Sequence, residues 1–305
     1  MAVVTLPVSE IIFQMKNIVG TSSGAIFMAS VRNNKQVEPA MKQIALATLV
    51  LLVSMPPLLQ AEEAQDLAKQ LANPISSLIS VPIQVNYDEG YGSTGEGAVW
   101  RTNIQPVVPI TLNSEWNLIS RTILPVISQD DVPAPGLGES GIGDIVQSFF
   151  FSPVEPTQGG IIWGAGPVLL LDSASEPQLG AGKWGIGPTG VALKQTGPWT
   201  VGALANHIWS VGGDSKRPDV NATFLQPFVA YITPAKTTFS LNTESTYDWE
   251  NKQWSVPINL TATQLIKVGN QMMSVGGGVR YWAESPAGGP DDWGLRLIVT
   301  FLFPK

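Results

Sequence analysis

The stretch Trp254-Ser255-Val256-Pro257-Ile258-Asn259-Leu260-Thr261-Ala262-Thr263 sets Trp254, Val256, Ile258, Leu260 and Ala262 on even positions, against Ser255, Asn259, Thr261 and Thr263 on odd ones. Successive side chains of a strand point to opposite faces, so this alternation makes one apolar and one polar face. A water-facing sheet would carry Lys and Glu on the polar side. Here it carries small uncharged groups, and the pattern recurs. Phe239, Leu241, Tyr247 and Trp249 oppose Ser240, Asn242, Glu244, Thr246 and Asp248, with Thr243 and Ser245 interrupting the apolar side. Trp293, Leu295, Leu297, Val299, Phe301 and Phe303 oppose Arg296 and Thr300, and Ile83, Val85 and Tyr87 oppose Gln84, Asn86 and Asp88.

Working outward, twelve such segments fall at 80–90, 98–112, 115–128, 142–153, 160–171, 181–194, 198–211, 220–232, 237–249, 252–264, 271–284 and 292–303. Connections after the second, sixth, eighth and tenth are short. Those after the third, fifth, seventh and eleventh are longer and rich in Gly, Pro and Asp, while the short Glu250-Asn251 breaks the rule. An even strand count with long loops on one side is the pattern of a transmembrane barrel. Aromatics gather at segment ends (Trp116, Trp199, Trp209, Trp249, Trp254, Trp282 and Trp293), as interfacial girdles do. Pro106, Pro109, Pro125, Pro167, Pro188, Pro227 and Pro257 lie inside segments, where each removes a ladder donor, so bulges or breaks are expected in the wall.

Composition agrees. Of 305 residues 44% are apolar and 13% charged, against about 25% charged in soluble domains. Without Cys, a disulfide scaffold, a thiolate metal site and a Cys nucleophile are excluded, and one His excludes a multi-histidine site. A net charge of −7 leaves no basic stripe for nucleic acid. The longest apolar run, Ile44 to Val53, is half of the roughly 20 residues a membrane helix needs. It follows Met41-Lys42 and leads to Leu59-Gln60-Ala61 before Glu62-Glu63, which reads as a signal peptide over 41–61. Residues 1–40 show no sustained period and are expected to be a disordered over-extension upstream of a start at Met41. Glu62 to Ala72 reads as a short helix with acidic first turns, Leu67 and Leu71 on one face and Pro74 ending it, so that 62–79 forms a helix and linker able to plug the barrel. Residues 80–305 form the barrel itself.

The chain resembles the bacterial outer-membrane proteins grouped as MetA-pathway of phenol degradation, whose members are labelled transporters or, misleadingly, neuromedin U precursors. The resemblance rests on Leu67-Ala68-Lys69-Gln70-Leu71-Ala72-Asn73-Pro74, Gly143-Asp144-Ile145-Val146-Gln147-Ser148, Gly190-Val191, Ala203-Leu204-Ala205-Asn206-His207-Ile208-Trp209-Ser210, and Trp293-Gly294-Leu295-Arg296 through Phe303-Pro304-Lys305. It spans the chain after the leader. It implies an all-β, antiparallel outer-membrane barrel of about twelve strands with a short N-terminal helix, passing small organic compounds. The partners then expected are outer-membrane lipid, small solutes and the barrel-assembly machinery.

With the apolar faces turned to lipid, the interior candidates are Gln84, Asn86, Asp88, Arg101, Asn103, Gln105, Asn117, Arg121, Asp144, Gln226, Asn242, Glu244, Arg280 and Arg296. Two readings stay open: a polar path for solutes, aromatic or hydrophobic ones among them, or a charge network that fills a narrow lumen and braces the wall of a structural barrel. The repeat Trp163-Gly164-Ala165-Gly166-Pro167 and Trp184-Gly185-Ile186-Gly187-Pro188, with Gly202, Gly276 and Gly278, either admits the helix or a ligand close to the wall or permits curvature. His207 and Ser210 fall on opposite faces, so no catalytic residue is assigned and no enzyme is expected. Acidic loop residues Asp172, Glu176, Asp214, Asp219, Asp291 and Asp292 read as solvated, and neither cofactor nor metal is assigned.

Overall fold

The computed structural model describes residues 61–304. The expected leader at 41–61 and the stretch 1–40 lie outside the described residues, apart from Ala61. One helix, α1 (Ala61–Leu71), precedes β1 (Ile79–Tyr91), β2 (Gly97–Ile104), β3 (Val107–Thr111), β4 (Trp116–Asp130), β5 (Gly138–Ile142) and β6 (Ile145–Pro153). Next come β7 (Ile161–Leu171), β8 (Lys183–Thr196), β9 (Trp199–Gly213), β10 (Asn221–Ile232) and β11 (Thr237–Thr243). The chain finishes with β12 (Ser245–Asp248), β13 (Gln253–Val268), β14 (Gln271–Glu284) and β15 (Trp293–Phe303).

Three pairs of segments are single strands with a gap. β2 and β3 both pair with β1 and β4, β5 and β6 both pair with β4, and β11 and β12 both pair with β10 and β13. The fifteen segments are therefore twelve antiparallel strands. β15 pairs with β1 from Phe303 opposite Ile79 to Leu295 opposite Tyr87, which closes the barrel. The twelve expected strands fall on these twelve.

The gaps have a chemical cause. Glu244, between β11 and β12, lies where Pro227 and Pro257 occupy the neighbouring strands, and its N–H reaches only the Pro257 carbonyl at 3.4 Å. A proline offers no donor in return. Beside this gap the outward Thr243 and Ser245 hydroxyls bond each other, which satisfies the two polar residues that interrupt the apolar face. Pro106 sits in the β2–β3 gap, and a register shift falls between Val256 and Pro257. Pro167 stands opposite Pro188 in the β7–β8 pair. At Gly187 an added Cβ would collide with the His207 carbonyl, and at Gly166 with the Phe149 carbonyl, so these glycines serve close strand approach. Gly164 is the one beside the N-terminal segment, 3.3 Å from Ile75 Cδ1 by the same construction.

The outer face carries an exposed apolar band that includes Ile110, Phe151, Ile186, Val201, Leu241, Leu260 and Leu297. Aromatic pairs rim it. At the end where β1 begins and β15 finishes stand Trp116 with Trp163 and Trp199 with Tyr231; at the opposite, loop-bearing end stand Tyr87 with Trp100, Tyr247 with Trp249 and Trp254, and Tyr281 with Trp293. Trp282 departs from the girdle expected of it. It follows Arg280 by two residues, so strand alternation turns it inward, where its Nε1 donates to Asp88 at 2.9 Å. Among the described residues no helix is long and apolar enough to cross a membrane.

The core is inside the barrel. Ala64, Leu67, Ala68 and Leu71 share one face of α1, and Ala64 and Leu67 bury against Leu78, Leu265, Met272 and Leu302 at the terminal end. Gln65 accepts a hydrogen bond from Lys236 Nζ at 2.7 Å, and the Lys69 carbonyl accepts one from Gln195 Nε2 at 2.8 Å. Beyond the helix, the Asn73 side chain accepts from the Ile75 N–H and turns the chain, which sets Ile75 among Val107, Ile119, Phe150, Val191, Leu193 and Leu204. At the loop end a 3-10 turn, Pro177–Leu179, folds inward so that Leu179 packs on Val99 and Ile127.

Candidate functional site in the barrel lumen

Strand parity gives the interior two unlike walls. Strands β3, β4 and β6 to β10 supply the apolar wall around Ile75, while β1, β2 and β11 to β15 supply most of the polar one. Between them lies a cavity of about 200 Å³. Its floor is Leu71 and Ala72, the end of α1 and the residue after it. Seven of the candidates line it: Gln84, Gln105, Arg121, Gln226, Asn242, Glu244 and Arg296. Thr238, Ser240, Thr261, Thr263, Ser274 and Thr300 line it too. They lie on the polar parity of their strands, where hydroxyls alternate with the amides and charges already named.

Arg296 organises the upper edge. Its guanidinium meets both Glu244 oxygens, Nη1 to Oε1 at 2.9 Å and Nη2 to Oε2 at 2.7 Å, and its Nε donates to Asn86 Oδ1 at 2.7 Å. The Arg296 side chain is 2% exposed. β15 and β12 are separated by two other strands in the sheet, so this pair forms a chord across the curved wall. Asn86 lies in register between Arg296 on β15 and Arg101 on β2, and Arg101 is exposed. Arg280 stands 3.4 Å from Asp88, within ion-pair distance though without hydrogen-bond geometry, and covers the Trp282 ring at 5.0 Å. Asn242 accepts from Asn259, which is fully buried.

The remaining candidates lie elsewhere. Asn103 is half-buried opposite Gln84. Asn117 pairs with Ser152 towards the terminal end, away from the cavity. Asp144 sits in the β5–β6 gap, where its carboxylate accepts from three backbone amides of the 172–182 loop: Ser173 at 3.2 Å, Ala174 at 3.1 Å and Ala181 at 2.6 Å. It is a loop anchor. Asp144→Ala removes charge-assisted bonds worth about 1.5–3 kcal/mol each, so amide exchange at Ser173, Ala174 and Ala181 should accelerate at least ~10-fold. Unchanged protection there would mean that Leu179 packing alone holds the loop.

A second tether is pH-sensitive. Lys183 Nζ, buried at the rim, reaches Asp219 Oδ1 at 2.8 Å, and Ser210 Oγ donates to the same oxygen at 3.1 Å. Hydrogen bonds first from Lys183 and then from Ser210 hold the exposed Asp219 carboxyl below its ordinary value. A lowered pKa means that the contact is complete above the usual aspartate range and is lost only as pH falls through the depressed value. The Val220 amide, which donates to Ser210 Oγ at 3.1 Å, should stay protected through mild acid and open below the ordinary carboxylate range. In Asp219→Asn that pH dependence should vanish. Among the described residues no three acidic or His side chains converge as a metal site.

No protein-family model matches the chain, and no curated protein sequence matches it. Among solved structures it is similar to an outer membrane channel from Pseudomonas putida F1, at 15% identity and a TM-score of 0.58, over 74% of this chain and 96% of that one. A looser likeness, at 10% identity and a TM-score of 0.35, links it to the low-pH structure of Pseudomonas putida OprB over 82% and 100% of the two chains; no argument rests on it. The first likeness is one of fold.

Proposed function

We propose that the protein is an outer-membrane channel through which small solutes pass passively along the barrel axis, with α1 as the movable floor. The observation that carries this reading is the polar cavity above Leu71 and Ala72: the barrel is too wide for its own side chains to fill. Twelve strands tilted about 40° enclose a ring roughly 24 Å across between backbones, into which a helix of about 10 Å diameter fits. The unpartnered outer apolar band between aromatic rims supports placement in a bilayer, since a closed barrel leaves no backbone edge unsatisfied there. The outer-membrane channel of similar fold and the motif resemblance to the phenol-degradation group favour the same reading. Once Ile75 withdraws, the wall of Phe150, Phe224 and Phe228 offers aromatic or hydrophobic solutes a surface beside the polar path.

The second reading, a structural barrel without transport, draws on the Arg296–Glu244 chord and the inward Leu179, which narrow the lumen above the cavity. Single-channel recording in planar bilayers and liposome swelling with small neutral solutes separate the two. The channel reading expects discrete conductance steps and swelling. A folded barrel that stays silent in both assays, with α1 in place and with residues up to 75 removed, is structural.

A further inference from the structure

Four arginines face the interior, and one of them lines the cavity without an ion pair. Arg296 and Arg280 each have a carboxylate within 4.0 Å, and Arg101 is exposed and outside the cavity lining. Arg121 differs. It is half-buried in the cavity wall, no carboxylate among the described residues lies within ion-pair distance, and its protein partner is the neutral amide oxygen of Gln105 at 2.9 Å from Nη2. A guanidinium has five N–H donors in a planar fork that matches a carboxylate side-on. Glu244, which lines the same cavity, has both oxygens committed to Arg296. The charged residues lining the cavity are Arg121, Arg296 and Glu244, two cations against one anion, although the chain as a whole carries −7. The cavity lining therefore carries one positive charge more than it has carboxylates.

We infer that the cavity is a binding station for a small hydroxylated organic carboxylate, whose carboxylate lies against Arg121. Deepening the channel reading, this inference rests on it for access through the lumen. A single uncommitted cation favours a monoanion over a polyanion, and a cavity of about 200 Å³ suits a ligand of a few carbons. Ser240, Thr261, Thr300, Gln84 and Gln226 surround the site with hydroxyls and amides, which pair with a ligand's own hydroxyls and would leave a purely aliphatic chain poorly matched.

Calorimetry on the intact detergent-solubilised barrel tests this without requiring transport. The probes are lactate, its neutral counterpart lactamide, propionate and chloride. Lactate should bind at least ~10-fold more tightly than lactamide and more tightly than propionate. Arg121→Gln should lower lactate affinity at least ~10-fold while leaving lactamide unchanged, and Arg121→Lys should retain part of the difference. An unaltered thermal midpoint confirms that the variants fold. Equal binding of lactate and lactamide, unchanged lactate binding in Arg121→Gln, or displacement of lactate by equimolar chloride overturns the site. A barrel that binds lactate but never conducts defeats the channel and keeps the site; one that conducts without discriminating lactate from lactamide defeats the site and keeps the channel.

Discussion

Glu244→Gln should destabilise the folded barrel by about 3–5 kcal/mol, the cost of leaving one member of a buried ion pair uncompensated. Arg296 would keep its charge at 2% exposure with neutral amide oxygens alone as acceptors, and the new amide NH2 would face one of its N–H donors. The effect should appear as a lower urea midpoint in detergent and as loss of the heat-modifiable folded band on electrophoresis. The double variant Glu244→Gln/Arg296→Met removes both charges and should recover much of the loss, because replacing a whole buried pair is far cheaper than breaking it. Simple additivity of the two single variants would show that the chord contributes no coupling. The position is sensitive for a second reason: Pro227 and Pro257 leave Glu244 without a normal ladder, so its side chain helps to fix a backbone that the sheet does not.

The second large effect concerns α1. In a chain without Cys, Gln65→Cys and Lys236→Cys introduce the only two thiols, at side chains joined by a hydrogen bond. The channel reading with α1 as floor expects that bridging them with a short, reductant-cleavable bis-methanethiosulfonate silences conductance and that reduction restores it. Leu67→Asp should act the other way. It forfeits burial worth about 2 kcal/mol and adds a charge against Leu265, Met272 and Leu302, so the undocked population should rise at least ~10-fold. Bridged channels that conduct as well as reduced ones would show that solutes bypass the helix.

Much of this was legible in the alternation of polar and apolar residues. Parity assigned Asn86, Asp88, Arg101, Gln105, Arg121 and Arg296 to the polar side because each lies in a regular stretch whose partners keep one register. Parity fails where the register does. β4 pairs with β5 and β6 in registers offset by one residue, so Asp144, at the join, turns its carboxylate to a loop. Nor can alternation name a partner across the lumen: Glu244 and Arg296 are 52 residues apart, and only closure of the sheet sets their distance. The inward fold of 172–182 was hidden for a similar reason, since Leu179 among acidic and small residues reads as an exposed loop until Val99 and Ile127 are seen beneath it.

The N-terminal segment touches strands that a flat sheet would hold far apart. Ala64 and Leu67 rest on Leu302 of β15, while Lys69 and Ile75 meet Gln195 and Val191 of β8. Along the sheet those two strands are six steps apart, roughly 29 Å at about 4.8 Å per step, which is beyond the span of one helix diameter. Both contacts form together only after the sheet has curled and β1 has met β15. The segment is in effect an internal ligand specific for the finished barrel. Its docking draws the assembly equilibrium toward closure in the same way that a bound ligand stabilises the one state it recognises.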